Sequence, residues 1–375
     1  MSKYGKQVLV VVVSVLFMAG LGFSASEKVE TLRIGQKAPD FNLPGVDGRN
    51  YKLADFADAD VLVIIFTCNH CPTAQAYEER IIKLAADYKN KGVALVAISA
   101  NDPKAVRLDE LGYSDMSDSF EEMKTRAKDM GYNFPYLYDG DNQRVSLAYG
   151  PARTPHVFIF DRQRELRYVG RFDNSERAKL VKSEDARNAI EALLNGKKVA
   201  VEETGTIGCS IKWASKRGSV THSFEQWAKE SVTVETVDAK SIKELVKNDS
   251  GKLRLINVWA SWSVPSVKQL QEFITMNRMY RYRDFELITI SADSPSRRNR
   301  VLSSLKKQQA SCKNYLFNSE DEYQLMEAVD KDLLGGIPYT ILIQPGGNVI
   351  YRSVGIIEPL ELKKTIVGYM GRYYK

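Results

Sequence analysis

Apolar runs and amphipathic stretches alternate along most of the chain. Four runs rich in β-branched residues predict strands that are buried on both faces, at residues 61–66, 93–99, 253–259 and 285–291. Apolar residues at helical spacing follow two of these runs and predict helices over 74–88 and 266–276. A buried strand that leads directly into a helix is therefore expected twice.

The same order of elements recurs in the two halves of the chain. The first half adds a short hairpin within 31–56, a helix over 119–130 with Ser119 as its N-cap, and a short strand at 136–138. Each half then ends in a hairpin and a closing helix, predicted at 157–170 and 183–194 and again at 339–353 and 359–370. This order predicts an α/β fold in each half, with a central mixed sheet flanked by helices.

The first 26 residues have the layout of a signal peptide. Lys3 and Lys6 precede an apolar run of 16 residues, and small residues at 24–26 follow as the expected cleavage region. An uncleaved membrane anchor is the weaker alternative, because a spanning helix needs about 20 apolar residues. The mature chain is then divided into a first domain at 31–200, a tail and linker at 201–234, and a second domain at 235–375.

The net charge and the number of cysteines indicate which classes of binding partner and which kind of scaffold are expected. The net charge is +6, and basic stretches at 278–283 and 297–300 are expected to be solvated helix faces, with an acidic partner or a membrane surface as the alternative. An exported protein rarely meets nucleic acid, so no nucleic-acid partner is expected. Four cysteines in 375 residues are too few for a disulfide-stapled scaffold. Each cysteine therefore has to be interpreted separately.

Two of the cysteines form a Cys-x-x-Cys motif where the first buried strand turns into a helix. Cys68 and Cys71 are one helical turn apart, close enough for a disulfide, and the helix N-terminus stabilises a thiolate. We expect Cys68 to be the exposed attacking thiol and Cys71 to resolve, while His70 makes the disulfide more oxidising. Half a zinc site and an inert structural disulfide are the alternatives, but no second ligand pair has zinc spacing, so neither a metal nor a cofactor is expected.

Several segments around this motif carry a family resemblance. They are Gly35-Gln-Lys-Ala-Pro-Asp-Phe, Cys-Asn-His-Cys-Pro, Asn101-Asp-Pro, Arg153-Thr-Pro-His-Val-Phe-Ile-Phe-Asp and Ile207-Gly-Cys-Ser-Ile-Lys-Trp. Together they resemble the peroxiredoxin-like thioredoxin proteins of the redoxin superfamily over residues 31–213. The resemblance implies a thioredoxin-like fold, and it implies that Thr154 and a cis Pro155 shape the substrate-binding edge beside the dithiol. An ordinary proline at a strand entry is the alternative for Pro155.

The chain departs from true peroxiredoxins in its chemistry. Their signature places a threonine three residues before the peroxidatic cysteine, where this chain has Ile65, and they use an arginine near the position of Pro155. Both departures favour exchange between a dithiol and a disulfide over peroxide reduction. Arg153 is close in sequence and keeps a hydroperoxide reductase that uses Cys68 as the alternative.

The remaining two cysteines have no evident partner. Cys209 lies in the family-like tail and is expected to be either an accessory thiol that folds back on the site or a spare, buried thiol. Cys312 lies in a polar context in the second half.

The second half resembles the extracytoplasmic thioredoxins of the cytochrome-maturation type, but it lacks both cysteines. In Trp259-Ala-Ser-Trp-Ser-Val-Pro-Ser266, serines occupy both positions, at Ser263 and Ser266, and Pro338 would be the cis-proline. A serine hydroxyl cannot form a disulfide, so this half is expected to be redox-silent. Trp259 and Trp262 would then either line a groove for a partner or pack in the core.

Three functions compete. We expect an extracytoplasmic, periplasmic thiol-disulfide oxidoreductase that acts on protein or small-molecule disulfides with an unidentified redox partner, with the second domain binding partner or substrate. A hydroperoxide reductase and a non-catalytic binding protein are the alternatives. Because Ser263 and Ser266 cannot cycle, removal of residues 235–375 is expected to leave the dithiol chemistry largely intact.

Overall fold

The computed structural model describes residues 29–332 and 336–374. The expected signal peptide at 1–26 lies outside these residues. Within them, no helix combines the length and the apolar character that crossing a bilayer requires.

The elements of the first half are β1 (Asn42–Pro44), β2 (Asn50–Lys52), β3 (Val61–Thr67), α1 (Pro72–Asp87), β4 (Val93–Ser99), α2 (Phe120–Met130), β5 (Tyr136–Tyr138), α3 (Arg144–Tyr149), β6 (Arg153–Thr154), β7 (His156–Phe160), β8 (Leu166–Gly170), α4 (Asp185–Leu194), β9 (Cys209–Ser210) and α5 (Arg217–Ala228). Five of the strands form a mixed sheet with the order β5-β4-β3-β7-β8. A small hairpin, β1 with β2, precedes it, and a separate two-stranded sheet joins β6 with β9.

The central strand β3 is buried on both faces, as its apolar run predicts. Leu62, Ile64 and Phe66 lie in one apolar cluster. The alternate residues of β3 lie in a second cluster on the other face, which includes Tyr77 from α1 and Ile190 from α4. Since successive side chains of a strand point to opposite faces, a continuous apolar run is what a strand between two layers requires.

The elements of the second half are β10 (Glu235–Val237), α6 (Ala239–Lys247), β11 (Leu253–Trp259), α7 (Val264–Tyr280), β12 (Phe285–Ser291), α8 (Arg298–Lys307), β13 (Lys313–Phe317), α9 (Glu322–Val329), β14 (Tyr339–Ile343), β15 (Val349–Val354) and α10 (Pro359–Met370). The strands form a six-stranded mixed sheet with the order β10-β13-β12-β11-β14-β15. Its central strand β11 pairs in parallel with β12 and antiparallel with β14. The predicted fold class, two α/β units with mixed sheets flanked by helices, is confirmed.

The polar tract predicted as tail and linker, residues 201–234, contains ordered elements. Strand β9 pairs with β6, and helix α5 follows it. Sequence reasoning missed both, because a two-residue strand has no measurable periodicity and α5 buries only Trp227. The shorter helices α3, α6, α8 and α9 were missed as well.

The two halves share an apolar cluster. The connection from β4 to α2 forms short 3-10 turns, and its residues Val106 and Leu111 are buried in the same cluster as Phe273, Met276 and Tyr280 of α7. Because these side chains leave water only when the halves are in contact, this connection depends on the second half for its burial.

Candidate functional site

The Cys-Asn-His-Cys loop connects β3 to α1. Cys71 is the N-cap of α1, and its sulfur lies 3.5 Å from the backbone nitrogen of Ala74. We expected Cys68 at the helix N-terminus, and the structure places Cys71 there. Proline is favoured at the first helical position, so Pro72 starts the helix and the preceding residue becomes the cap.

Both thiols are free and buried, with exposed fractions of 2 % for Cys68 and 0 % for Cys71. The expectation that Cys68 is exposed was therefore wrong, because other parts of the chain cover the loop. Burial raises the pKa of Cys68 well above its ordinary value. Burial would also raise the pKa of Cys71, but hydrogen bonds from the Cys209 and Cys68 thiols and the charge of His70 hold it well below its ordinary value. In the reduced site the surroundings therefore favour the thiolate form of Cys71 over that of Cys68.

Asp118 holds the loop between the cysteines. One carboxylate oxygen accepts hydrogen bonds from the backbone nitrogens of Asn69 (2.8 Å) and His70 (3.1 Å). The other is 2.6 Å from His70 Nδ1 and accepts a hydrogen bond from Asn101 Nδ2 at 2.7 Å. Sequence reasoning missed Asp118 as a site residue, since it lies 48 residues from His70 and no local pattern marks it.

The charges of His70 and Asp118 support each other. Burial would lower the pKa of His70, but the Asp118 carboxylate raises it above its ordinary value. Burial would raise the pKa of Asp118, yet the charge and hydrogen bonds of His70 lower it. Asp118 therefore favours the charged form of His70 next to the dithiol, and that charge in turn favours the thiolate form of Cys71.

This pair predicts a pH-dependent stability. The raised pKa of His70 stabilises the folded protein fully at pH values below the pKa that His70 has in the unfolded chain, and this stabilisation is lost as pH rises through the pKa of His70 in the folded protein. The lowered pKa of Asp118 also stabilises the folded protein, and that contribution is lost as pH falls through the pKa of Asp118 in the folded protein. Asp118→Asn should therefore lower the free energy of unfolding by about 3 kcal/mol near pH 5.5 and by less near pH 9.

Urea unfolding at the two pH values measures this difference. Asp173→Asn is the matched control: Asp173 is also buried, but it pairs with Arg80, and an arginine side chain keeps its charge at both pH values. Its penalty should not change with pH. An equal loss for Asp118→Asn at both pH values would contradict the charged His70–Asp118 pair.

Cys68, His70 and Asp118 are also close enough to act as metal ligands, since their ligand atoms lie within 4.8 Å of one another. Each carboxylate oxygen of Asp118, however, already has two partners within the loop contacts described above. These contacts explain why the three side chains lie together: Asp118 holds the loop between the cysteines in place.

Thr154 and Pro155 lie against the dithiol. The peptide bond between them is cis, and Thr154 Oγ1 is 3.2 Å from Cys68 Sγ. The backbone carbonyl of Thr154 is 3.5 Å from Cys71 Sγ. Thr154, one of the two residues expected from the resemblance at the substrate-binding edge, is thus in contact with both thiols, and Pro155 follows it across the cis bond.

Cys209 also lies in the site. Strand β9 pairs antiparallel with β6, with Cys209 opposite Thr154, and the sulfur atoms of Cys209 and Cys71 are 2.7 Å apart. Cys209 is only partly buried, which makes it the most exposed of the three clustered thiols. Cys312 is outside this cluster, and its thiol contacts Asn314 in the second half.

The second half keeps the geometry of a thioredoxin-like site without its thiols. Ser263 is the N-cap of α7, and Ser266 Oγ donates a hydrogen bond to Ser263 Oγ at 2.9 Å. The Ile337–Pro338 peptide bond is cis. Trp259 is fully buried in the core, as one of the two interpretations predicted, whereas Trp262 is 48 % exposed.

The C-terminal tail of the second half reaches the site of the first. The Arg372 guanidinium binds both carboxylate oxygens of Asp115, at 2.6 and 2.8 Å, and contacts Gln75, whose amide donates to the backbone carbonyl of His70. Nearby, the Tyr374 ring packs on Tyr113 at 4.8 Å between centroids. The tail thus covers part of the surface around the dithiol.

The comparison with family models finds similarity in the first half. The family model described as Redoxin matches residues 33–190. A thiol-disulfide oxidoreductase ResA from Geobacillus thermodenitrificans is 24% identical over 175 residues, which is 45% of this chain and 89% of the relative. The Putative peroxiredoxin MT2597 of Mycobacterium tuberculosis is 31% identical over 127 residues, 33% of this chain and 69% of the relative.

Among solved structures, a hypothetical protein from Sinorhizobium meliloti 1021 is 38% identical, with a TM-score of 0.44, over 50% of this chain and 97% of that chain. An uncharacterized conserved protein from Geobacillus kaustophilus is 42% identical, with a TM-score of 0.43, over 48% of this chain and 92% of that chain.

Proposed function

Because this chain belongs to the redoxin family, we propose that it is a thiol-disulfide oxidoreductase that exchanges disulfides through Cys68 and Cys71. The observation that carries the proposal is the buried thiol pair at the start of α1, with Cys71 at the N-cap and His70 beside it. A helix N-terminus and an adjacent cation are the two features that lower a thiol pKa enough for exchange.

The opposite pKa shifts of Cys68 and Cys71 support a definite sequence of steps. Cys68 attacks one sulfur of a substrate disulfide, its proton passes to the Cys71 thiolate, and the first substrate sulfur leaves as a thiolate. Cys71 then attacks Cys68, the Cys68–Cys71 bond forms, and the second substrate sulfur leaves with the proton of Cys71. The substrate disulfide is reduced by two electrons and the protein dithiol is oxidised by two; oxidation of substrate thiols is the reverse.

We propose a location outside the cytoplasm, where disulfides persist, on the basis of the leader at 1–26. N-terminal sequencing of protein from the extracytoplasmic fraction checks this, and a mature chain that still begins at Met1 would contradict cleavage.

The second half is proposed to be redox-silent and to bind partner or substrate. Ser263 and Ser266 hydrogen-bond to each other where a dithiol would be, and the exposed Trp262 precedes them on the same loop. An aromatic side chain that remains exposed beside an inactive site is suited to contact with a polypeptide.

The peroxidase alternative is supported by the name of the mycobacterial relative, but the geometry favours exchange. Arg153 donates a hydrogen bond from Nη1 to the carbonyl of Gly208 at 2.7 Å. Among the hydrogen bonds of the described residues, the Cys68 sulfur has the Thr154 hydroxyl as partner and no guanidinium. Peroxide reduction needs donors that polarise the O–O bond, so this thiol is poorly equipped for it.

One experiment separates the two activities. Reduced protein should reduce a disulfide-containing polypeptide readily but should react with hydrogen peroxide only at the rate of an ordinary activated thiol. Cys68→Ser should strongly slow polypeptide reduction, because it lacks the attacking thiol, whereas Cys312→Ser, the control, should leave it unchanged because Cys312 lies outside the site. Stopped-flow measurement of both reactions distinguishes the two activities. Rapid peroxide turnover that persists in Cys71→Ala would show that the protein is a peroxidase instead.

A further inference from the structure

The edge beside Pro155, where a substrate polypeptide would pair, is already occupied by a segment of the same chain. Strand β9 forms an antiparallel ladder with Arg153–Thr154, and Cys209 stands opposite Thr154. We propose that Cys209 is a third redox-active cysteine, and that the disulfide of this site exchanges between Cys68–Cys71 and Cys71–Cys209. The proposal rests on the proposed function, since it requires a dithiol that is oxidised by exchange.

The geometry around Gly208 supports a contact built for close approach. A Cβ atom at Gly208 would lie 2.0 Å from the carbonyl oxygen of Thr154, and the backbone φ of +134° is one that L side chains rarely adopt. Only glycine lets the chain come this close to Thr154. The result is a sulfur-to-sulfur distance of 2.7 Å between Cys209 and Cys71.

The residues after Cys209 anchor the strand to the same network that holds the dithiol loop. Ile211 is buried, and the backbone nitrogen of Lys212 donates to Asn101 Oδ1 at 2.8 Å. The Nδ2 group of the same Asn101 donates to Asp118, which binds His70. One asparagine therefore connects the Cys209 segment to the loop that carries Cys68 and Cys71.

The exchange step balances without an outside reagent. In the oxidised protein Cys209 loses its proton and attacks Cys71 Sγ, the Cys71–Cys209 bond forms, and the Cys68–Cys71 bond breaks. Cys68 leaves as a thiolate and takes up a proton, so the number of electrons in the site is unchanged. The disulfide moves from two buried sulfurs to a pair whose Cys209 member is partly exposed, where a polypeptide thiol can reach it.

Peptide mapping of the full-length protein tests the proposal. Reduced protein is oxidised with oxidised glutathione, free thiols are alkylated, and the protein is digested with trypsin. Cys68 and Cys71 fall in one tryptic peptide, residues 53–80, whereas Cys209 falls in another, residues 199–212. A Cys71–Cys209 bond therefore links two peptides, and a Cys68–Cys71 bond closes a loop within one.

In Cys68→Ser the linked pair of peptides should be the main oxidised species, and in the wild type both forms should be present. Adding Gly208→Ala to Cys68→Ser should lower the linked share several-fold. Gly205→Ala is the matched control, because a Cβ there would meet no atom within 4 Å, and it should leave the linked share unchanged. Circular dichroism checks that each variant is folded, and Cys68→Ala serves as a second variant.

The outcomes separate this inference from the proposed function. One outcome rules out the third redox cysteine and leaves the dithiol function standing. In this outcome the wild type forms only the Cys68–Cys71 disulfide within peptide 53–80, and Cys71 and Cys209 stay reduced in the folded Cys68→Ser and Cys68→Ala variants. If the wild type forms neither bond and leaves a substrate disulfide intact, the proposed function itself fails.

Discussion

Cys71→Ala is expected to lower the turnover of a disulfide substrate by at least about 10³-fold and to trap a mixed disulfide on Cys68. Cys71 is the sulfur common to every pairing in the site: it interacts with Cys68, it is the N-cap of α1, and it contacts Cys209. Without it, the mixed disulfide has to wait for an external thiol, and a tethered thiol acts at a far higher effective concentration than a free one.

The measurement is steady-state reduction of a disulfide-containing polypeptide, with mass spectrometry of the enzyme under non-reducing conditions. Cys312→Ala is the matched control, since it removes a thiol whose contact is Asn314 in the second half, and it should retain full turnover. A Cys71→Ala enzyme that keeps more than about a tenth of the wild-type turnover would exclude Cys71 as the resolving thiol.

Deleting residues 235–375 is expected to destabilise the remaining part by roughly 4 kcal/mol, because Val106 and Leu111 would lose their buried environment against α7. The expectation from sequence was that this deletion would leave dithiol chemistry largely intact. The contacts between the halves argue for the opposite outcome. The segment that becomes exposed leads directly to Asp118, the residue that holds His70, so the exchange rate should fall with the stability.

Two single substitutions in the full chain test this without a deletion. Arg372→Ala removes the guanidinium from Asp115, which is 2 % exposed, and should cost about 2 kcal/mol of unfolding free energy. Lys364→Ala, the control, breaks the more exposed pair between Lys364 and Asp129 and should cost less than about 1 kcal/mol. Urea unfolding of both variants measures the difference. Equal losses, together with a deleted chain as stable as the full one, would show that the second half does not support the site.

The local elements around the site were readable from sequence, for identifiable physical reasons. A continuous apolar run predicted β3, which is buried on both faces, and Ser119 was correctly identified as the N-cap of α2. Its side chain accepts a hydrogen bond from the backbone nitrogen of Glu122, an interaction between neighbours in the chain. Interactions of this kind join residues that are a few positions apart in the chain, so the local sequence pattern predicts them.

The Cys71-Pro72 pair in the sequence already indicates which cysteine precedes the helix. Pro72 at the first helical position implies that Cys71 is the N-cap, and this rule could have assigned the low-pKa thiol to Cys71 in advance. Burial of Cys68 had no such signal, because the groups that cover it come from distant parts of the chain.

The sequence by itself determined the α/β order of both halves, the thiol pair at the end of β3, and the serines that replace a second pair. The tertiary structure alone decided that Asp118 binds His70, that Cys209 meets Cys71 from 138 residues away, and that the tail of the second half binds Asp115. The periodicity of apolar residues and the capping motifs predict contacts within one helix or strand. Contacts between elements depend on how sheets and loops pack, so they are settled only when the chain is folded.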